Sequence, residues 1–211
     1  MYQREEVTNN DALWILRRPL DWTHVFERST SCQVSTRPGR IGGPIADWFV
    51  EAAREQGGFE VDPVDLAELD LPMMNEPNHP RLQQYTHDHT KAWAARVEHA
   101  DAFVFVTPEY NFGMTAPLKN ALDYLQKEWA YKPASFVSYG GVSGGLRAVQ
   151  MAKQVITTLG MYATPQQVII PFAMKQVEGG VFTPNDEQAA SATIVLDELL
   201  KLTDALKPLR S

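Results

Sequence analysis

Apolar residues fall into short runs along the chain, and between these runs they recur every three or four positions over longer stretches. The short runs are rich in β-branched and aromatic residues, which is typical of β-strands, whereas the longer stretches have the period of an amphipathic helix. From Ser35 onward the two patterns alternate. This alternation predicts βαβ units and therefore a parallel sheet.

The first predicted helix runs from Pro44 to Gln56, because proline is tolerated in a first helical turn and two glycines follow as an end signal. At the start of the last predicted helix, Thr183 and Asp186 have the spacing of a capping box. The remaining helices are predicted over 86–100, 115–129 and 145–160, and the last over 183–207.

The clearest predicted strand is "DAFVFVT", whose unbroken apolar run from Ala102 to Val106 indicates burial on both faces. In "FEVDPVDL", Pro63 cannot donate to a central ladder, so this strand is expected at a sheet edge. The other strands are "STSCQV", "PASFVSYG" and "QQVIIPF". Five strands alternating with five helices fit a flavodoxin-like doubly wound five-stranded parallel sheet of order 2-1-3-4-5, with helices on both faces.

Residues 1–30 match neither period, so they are interpreted as an N-terminal extension to which the pattern assigns no structure. Residues 31–211 are then expected to form a single flavodoxin-like domain. Within that domain, the segment 67–85 contains three prolines and is interpreted as a surface loop.

The composition narrows the function. A formal net charge of -7 argues against a general nucleic-acid binder, which needs clustered Lys and Arg. The single cysteine, Cys32, cannot form an intramolecular disulfide and is interpreted as a packed strand residue. No apolar run approaches the roughly 20 residues of a membrane span, and the acidic start differs from a signal peptide, so we expect a cytoplasmic protein without membrane contact.

Three histidines, His79, His87 and His89, raise the question of a metal site. Because residues two apart do not share a helical face, His87 and His89 are not expected to ligate the same ion from one helix. We interpret the three as a solvated cluster and expect no metal.

The residues that could bind a ligand or take part in catalysis are concentrated in three loops that follow predicted strands. The loop Ser35–Gly43 offers two hydroxyls, the guanidinium of Arg37 and backbone N–H groups at a helix start, which suits a phosphate monoester. It lacks the G-x-x-x-x-G-K-[ST] pattern, so ATP or GTP hydrolysis is not expected.

The second and third loops are "PEYNFG" and "GGVSGG". Tyr110 or Phe112 could flank a ring system, while Glu109 and Asn111 could equally be ordinary turn residues. The third loop fails the dinucleotide fingerprint G-x-G-x-x-G because Val142 takes the place of a glycine, and it is interpreted as a loop whose backbone approaches a flat ligand closely.

Together, the segments "STRPGRIG", "TPEYNFGMTAPLKNALDYL" and "KPASFVSYGGVSGGLRA" resemble, in order and spacing, the NADPH-dependent FMN reductase family of flavodoxin-like flavoproteins. The resemblance covers roughly Ser35 to Phe172. It implies that residues 31–211 form an FMN-binding domain and that the chemistry takes place at N5 of FMN, with no catalytic side chain. Val34 stands where family members usually have glycine, so the strand exit is expected either to use an ordinary φ or to be strained, and the bulk of Val34 is expected to crowd the phosphate site.

The resemblance also implies the residues that hold FMN. Its phosphate would be bound by Ser35, Thr36 and Arg37 and by the backbone near Arg40, Ile41 and Gly42. The isoalloxazine ring would be lined by Pro108, Glu109, Tyr110, Asn111 and Phe112. The pyrimidine side of that ring would be bordered by Ser138, Gly140, Gly141 and Ser143.

The function implied by the resemblance is transfer of two electrons from NADPH or NADH, through bound FMN, to a small acceptor. The acceptor classes are quinones, azo and nitro compounds, metal oxyanions and free flavin, and a homodimer or homotetramer is expected. Two alternatives stay open at this point: a flavodoxin-like electron carrier that binds no nicotinamide, and a degenerate flavoprotein that has lost FMN.

Overall fold

The computed structural model describes residues 14–16 and 27–210. The main sheet contains β1 (Trp14–Leu16), β2 (Glu27–Gln33), β3 (Phe59–Asp65), β4 (Ala102–Pro108), β5 (Pro133–Tyr139), β6 (Tyr162–Ala163) and β7 (Val168–Ile170), and a separate small hairpin contains β8 (Val177–Glu178) and β9 (Val181–Phe182). The helices are α1 (Gly42–Gln56), α2 (Leu66–Leu69), α3 (Asp88–His99), α4 (Ala116–Asp123), α5 (Leu146–Thr158) and α6 (Asp186–Leu206). Single 3₁₀ turns occupy Pro80–Leu82, Lys127–Trp129, Ala173–Lys175 and Lys207–Arg210.

The parallel strands follow the order β3-β2-β4-β5-β7, which confirms the predicted order 2-1-3-4-5. β4 lies between β2 and β5 and is buried along its whole length, as its unbroken apolar run predicts. The last strand is split, since both β6 and β7 pair with β5.

Helices cover both faces of the sheet, as predicted. One face carries a core in which Phe105 and Phe136 of the sheet meet Trp93 of α3 and Leu118 of α4. On the other face, Val104 and Val137 pack with residues of α1 and α6 such as Phe49 and Leu199. The two cores hold the sheet rigidly, so the loops at its edges have a fixed base.

Part of the predicted N-terminal extension belongs to the sheet. β1 pairs antiparallel with β2, where Ile15 faces Thr30, and with β3, where Leu16 faces Val61. The predicted boundary at residue 31 falls inside β2. This strand begins at Glu27, because the polar residues that precede residue 31 also pair with neighbouring strands. Residues 1–13 and 17–26 of the extension lie outside the described residues.

The pairing of strand β3 is compatible with its proline, which has no N–H to donate to a neighbouring strand. Its pairs with β2 and β1 involve Phe59, Glu60 and Val61, while Pro63 has no strand partner among the described residues and its carbonyl accepts from the Arg96 guanidinium. Since β1 also lies against β3, the edge expected from the sequence is partly covered at Val61.

Two predicted helices differ from the structure by more than two residues at one end, and the other helix bounds differ by two residues or fewer. α4 ends at Asp123, and the predicted continuation to residue 129 is replaced by a 3₁₀ turn that buries Trp129, whose indole N–H donates to the Leu122 carbonyl at 3.2 Å. α6 begins at Asp186, because the capping box is formed by Asn185 and Gln188 and not by the predicted pair beginning at Thr183. α1 ends at Gln56, as predicted, and Gly57 after it has the left-handed conformation.

The loop predicted over 67–85 is ordered by its own turns and by α3. It contains most of α2 and one 3₁₀ turn, and the Glu76 carboxylate accepts hydrogen bonds from the backbone of Thr86 and His87. The rings of His87 and His89 stack with their centroids 5.1 Å apart, which is geometrically allowed because His87 is the N-cap residue of α3 and lies outside the helix. Within the described residues, no helix combines the length and apolar character that a membrane crossing requires.

Candidate functional site

The loops that follow β2, β4, β5 and β7 meet at one edge of the sheet, because these strands run parallel and their carboxyl ends coincide. We refer to the loops after β2, β4 and β5 as the first, second and third loop. A cavity of about 190 Å³ opens between them and is lined by Arg37, Arg40, Ile41, Pro108, Glu109, Tyr110, Tyr139, Gly140, Ala173 and Met174. All three loops singled out in the sequence therefore contribute to one site.

The first loop presents positive charge at its exit from β2. Arg37 is exposed, and its guanidinium makes no hydrogen bond or ion pair with any residue that the structure describes. Helix α1 then begins without a side-chain cap and without an acidic residue in its first turn. The N–H groups at a helix start carry partial positive charge, so this geometry suits a bound anion.

Ser35 and Thr36 differ in position within the first loop. Ser35 is fully buried, and its hydroxyl lies 2.7 Å from the Tyr110 hydroxyl. Thr36 does not line the cavity beside Arg37. It lies instead on a second cavity of about 320 Å³, whose wall contains Thr36, Leu66, Ala67, Asp70, Leu71, Met73, Ala116, Pro117, Asn120 and Ala121.

The Arg40 side chain forms an ion pair with Asp65, whereas only the backbone near Arg40 was expected to take part in a site, by binding a phosphate. Its Nη2 lies 2.6 Å from Oδ2 of Asp65, and both side chains are nearly buried. The other oxygen of Asp65 accepts from the Ala67 N–H at 2.7 Å, so the carboxylate also caps α2. The Arg40 backbone N–H donates to the Arg37 carbonyl at 3.1 Å, so in this arrangement Arg40 braces the first loop through both its backbone and its side chain.

Gly42 and Ile41 complete the first loop. Ile41 is half-buried and lines the cavity, whereas Gly42 is buried at the start of α1. A Cβ on Gly42 would lie 2.5 Å from the Tyr139 hydroxyl, so only glycine fits at this position without displacing the tyrosine.

In the second loop, Glu109 binds residues of the third loop and of the start of α5. Its side chain is only 6% exposed, and its carboxylate accepts from the Ser143 hydroxyl at 3.1 Å, the Arg147 N–H at 3.0 Å and the Arg147 Nε at 2.6 Å. Burial raises the pKa of Glu109, but these hydrogen bonds and the Arg147 charge together lower it by more, so the net pKa is below the ordinary value. Glu109 therefore stays ionised at neutral pH and holds the loops together.

The rest of the second loop is a tight hairpin. Pro108 is the buried last residue of β4, and Tyr110 and Gly113 exchange backbone hydrogen bonds of 3.2 and 2.9 Å. Asn111 and Phe112 form the tip, both with positive φ. Of the five residues predicted to line a ring, Pro108, Glu109 and Tyr110 line the cavity, and the two tip residues are not among the residues that line it.

The third loop contributes backbone more than side chains. Gly140 lines the cavity, and the Gly141 carbonyl accepts from the Phe172 N–H at 2.9 Å. Ser138 is fully buried inside the sheet, where its hydroxyl lies 3.5 Å from the Val168 carbonyl. The structure thus brings Gly140 to the cavity and leaves the Ser138 side chain inside β5.

Three residues that line the cavity were not predicted as site residues from the sequence. Tyr139 directly precedes the two glycines of the third loop, and Ala173 and Met174 follow β7. Because β7 is parallel to its neighbours, its carboxyl end lies at the same edge, and this rule would have pointed to Ala173 and Met174. Tyr139 carried a weaker signal, since an aromatic at a strand end is common.

The donor set fits FMN. A phosphate dianion would meet the Arg37 guanidinium and the uncapped start of α1, while Pro108, Tyr110 and the backbone of Gly140 offer a narrow apolar wall for a ring. When FMN is bound, the chemistry that it supplies is uptake and release of two electrons; the side chains of this chain bind and orient it.

Comparison with known proteins agrees with this geometry. Residues 34–175 match the family model of NADPH-dependent FMN reductase. An NAD(P)H-dependent FMN reductase of Schizosaccharomyces pombe is 41% identical over 169 residues, which cover 79% of this chain and 82% of the relative. An NAD(P)H:quinone oxidoreductase of Solanum tuberosum is 35% identical over 137 residues, covering 61% and 66%.

Among solved structures, the flavoenzyme NAD(P)H:(acceptor) oxidoreductase FerB from Paracoccus denitrificans superposes with a TM-score of 0.65 at 22% identity. The superposition covers 84% of this chain and 97% of that one, and it shows the shared fold. The match to the family model and the 41% identity to the Schizosaccharomyces pombe protein show a closer relationship than the shared fold: the chain belongs to the NADPH-dependent FMN reductase family.

Proposed function

We propose that the protein is an FMN-dependent NAD(P)H oxidoreductase that passes two electrons to a small acceptor such as a quinone. The observation that carries the proposal is the convergence of Arg37, the uncapped start of α1, the second loop and Gly140 on one cavity. Family membership and the relatives named as FMN reductase and quinone oxidoreductase support it.

The side chains divide the binding of FMN between them. Arg37 would hold the phosphate as a charged donor, while Arg40 keeps the first loop in shape through Asp65. Glu109 fixes the second loop against the third through Ser143 and Arg147, and Pro108, Tyr110 and Gly140 of these loops line the same cavity. Orientation by such fixed loops is what the protein supplies to a flavin reaction.

The overall reaction balances without a catalytic side chain. NAD(P)H gives up a hydride, which carries two electrons and one proton, and becomes NAD(P)⁺. A quinone takes up the two electrons, that proton and one more from solvent to become a hydroquinone. Because the pKa of Glu109 lies below its ordinary value, this carboxylate holds Arg147 and does not supply the solvent proton.

The test begins with flavin retention. Protein purified in the presence of excess FMN is expected to keep the flavin after gel filtration and to oxidise NAD(P)H when a naphthoquinone is added. The variant Arg37→Gln is expected to weaken FMN binding roughly ten- to hundredfold, because a charge-assisted bond to phosphate is lost. The control Arg81→Gln removes an exposed arginine that lines neither cavity and is expected to leave FMN affinity unchanged.

Two results would count against the proposal. A protein that neither retains FMN nor gains thermal stability from it would favour a degenerate flavoprotein, since a ligand that binds the native state must stabilise it. A protein that holds FMN but is not reduced by NAD(P)H would favour an electron carrier. The cytoplasmic location and the homodimer or homotetramer expected from the sequence stay predictions, to be checked by fractionation and by analytical ultracentrifugation.

A further inference from the structure

The last residue of β2 places an amide inside the protein. Gln33 is fully buried, and neither Nε2 nor Oε1 of its side chain has a hydrogen-bond partner among the described residues. A buried amide without partners costs free energy, because its hydrogen bonds to water are lost on folding and none replaces them. Such groups are rare in folded proteins, and each one requires an explanation.

This amide lies beneath the start of α1. A Cβ built on Gly42, the first residue of the helix, would lie 3.0 Å from Gln33 Nε2 and 2.5 Å from the Tyr139 hydroxyl oxygen. The amide nitrogen and the hydroxyl are therefore neighbours on the same side of the first helical turn. Gln33 does not line the cavity, whereas Tyr139 does. Tyr139 is thus a neighbour through which the buried amide can act on a ligand in the cavity.

The end of the cavity near Tyr139 suits an anion. Helix α1 begins there without a side-chain cap and without an acidic residue in its first turn, and Arg37 lines the same cavity as Tyr139. The N–H groups of a first helical turn and a guanidinium both favour negative charge.

A tyrosine hydroxyl can link the amide to such an anion, because it donates one hydrogen bond and also accepts. The Tyr139 hydroxyl can donate to an anion oxygen while its own oxygen accepts from Gln33 Nε2. Hydrogen bonds in a chain of this kind strengthen one another, since each donor is polarised by the bond that it accepts. The position of the unpartnered amide is then explained by the ligand that completes the chain.

We propose that Gln33 is a positioning residue for the phosphate end of the cofactor site. With a phosphate monoester at the start of α1, Nε2 of Gln33 donates to the Tyr139 hydroxyl, and Tyr139 donates to a phosphate oxygen. The inference rests on the proposed function and adds two side chains to the phosphate end of the site. In the FMN-free protein the amide is a donor that is held without a partner, at a cost in stability.

The first experiment compares the affinity of the FMN-free protein for FMN with its affinity for riboflavin, which has no phosphate, by quenching of flavin fluorescence. Gln33→Met keeps the length of the side chain and removes both polar atoms. Its Kd for FMN is expected to rise about five- to tenfold through the loss of one hydrogen bond, while its Kd for riboflavin stays within twofold of wild type. Tyr139→Phe is expected to show a larger rise for FMN and none for riboflavin.

The double variant shows whether Gln33 acts through Tyr139. Because the amide reaches the phosphate only through the hydroxyl, Gln33→Met combined with Tyr139→Phe is expected to bind FMN as weakly as Tyr139→Phe alone. Additive losses would overturn the proposal, and so would an unchanged FMN affinity in Gln33→Met. An equal loss for both flavins would also overturn it, since it would assign Gln33 to the general packing of the site.

Stability without flavin is a readout that does not depend on cofactor binding. In FMN-free protein, Gln33→Met is expected to unfold at a higher urea concentration than wild type, because an unsatisfied amide leaves the interior. A less stable Gln33→Met would overturn the proposal, since the amide would then be satisfied within the fold.

Ser31→Ala is the matched control. Ser31 lies on the same face of β2, two residues further from α1, and its buried hydroxyl also has no hydrogen-bond partner among the described residues. The variant is expected to leave FMN affinity unchanged. A loss of FMN affinity equal to that of Gln33→Met would overturn the proposal, because any buried polar group of this strand would then have the same effect.

Failure of the proposed function is distinguishable from failure of this inference. A wild type that binds FMN but is not reduced by NAD(P)H would contradict the proposed function alone. A wild type that is reduced by NAD(P)H through FMN, with an FMN affinity that Gln33→Met does not change, would contradict this inference alone. A wild type that binds no FMN would contradict both.

Discussion

The hydroxyl oxygens of Ser35 and Tyr110 lie 2.7 Å apart, although 75 residues separate them in the chain. Ser35 follows β2 and Tyr110 follows β4, and these two strands are neighbours in the sheet. The hydrogen bond therefore crosses the crevice at which the chain connections reverse direction, the place where doubly wound proteins bind their ligands. It ties the loop suited to a phosphate to the loop suited to a ring.

Removing one of these hydroxyls tests the tie. Tyr110→Phe leaves the fully buried Ser35 hydroxyl without its partner, so the free energy of unfolding of the FMN-free protein is expected to fall by about 1 kcal/mol. The measurement is urea unfolding followed by circular dichroism. As a control, Tyr131→Phe removes a half-exposed hydroxyl without a hydrogen-bond partner among the described residues and is expected to change nothing. Equal stability of the two variants would show that the Ser35–Tyr110 bond contributes nothing.

The clamp between Glu109 and Arg147 predicts a pH dependence at acid pH. Burial raises the pKa of Glu109, but the hydrogen bonds from Arg147 and Ser143 lower it more, so its native pKa lies below that of the unfolded chain. A group with a lowered native pKa stabilises the fold above the unfolded value of about 4.3, and this contribution disappears as the pH falls through the native pKa.

Glu109→Gln is therefore expected to be less stable than wild type by about 1 kcal/mol at pH 6, a modest value because the Arg147 side chain is 46% exposed. The difference should shrink as the pH falls below about 4. Denaturant titrations at pH 3, 4, 5 and 6 measure it. A difference that stays constant over this range would mean that the carboxylate charge is not what holds the loops.

Lys132 predicts a further rise of stability with pH, in the neutral to alkaline range. Its side chain is buried, with Nζ donating to the carbonyls of Val97 at 2.6 Å and Glu98 at 3.0 Å near the end of α3. Burial, and then the charge of Arg210, lower the pKa of Lys132 to about 7. Between pH 7 and the unfolded value of about 10.4, the unfolded chain binds the extra proton, so stability rises with pH.

The expected slope between pH 7 and 8.5 is about 1 kcal/mol per pH unit. Lys132→Met is expected to lose stability overall, because two carbonyls lose a donor, and also to lose this slope. The range stops at 8.5 because burial raises the pKa of Cys32, which opposes the trend at higher pH. Unfolding midpoints of both proteins over this range give the slopes, and equal slopes would contradict the role assigned to Lys132.

The sequence predicted those parts of the structure that depend on local pattern. The buried run of β4 and the end of α1 at Gln56 follow from hydrophobic period and glycine chemistry, both of which act within a few residues. The position of three loops at one sheet edge follows from the parallel order. β1 was missed, because a strand of three residues is too short to show a period.

Features of the site that depend on distant partners could not be predicted in this way. Arg40 was expected to offer its backbone to a phosphate, and nothing in its loop indicated that its guanidinium pairs with Asp65, which belongs to the end of β3. Glu109 was equally compatible with a turn and with a functional carboxylate, and only the packing of α5 shows that it binds Arg147. Charge pairing between loops is set by the fold and leaves no periodic signal in the chain.

Val34 tests whether the unusual end of β2 affects the cofactor site. The residue does not have positive φ, and its side chain is fully buried in the core that contains Cys32 and Phe105. Its N–H donates to the Val106 carbonyl at 3.2 Å, so it continues the ladder with β4. The branched side chain thus packs into the core on the face covered by α3, α4 and α5, so we expect that it does not crowd the first loop.

Val34→Ala is accordingly expected to lower the free energy of unfolding by about 2 kcal/mol, and Val34→Gly by about 1 kcal/mol more, through lost packing and added backbone freedom. FMN affinity, measured by quenching of flavin fluorescence, should stay within twofold of wild type in both variants. Val149→Ala removes the same atoms from the same core and serves as the control for stability. Tenfold tighter FMN binding by Val34→Gly, with no such change in Val149→Ala, would contradict this expectation. It would show that the valine obstructs the phosphate although its side chain packs into the core.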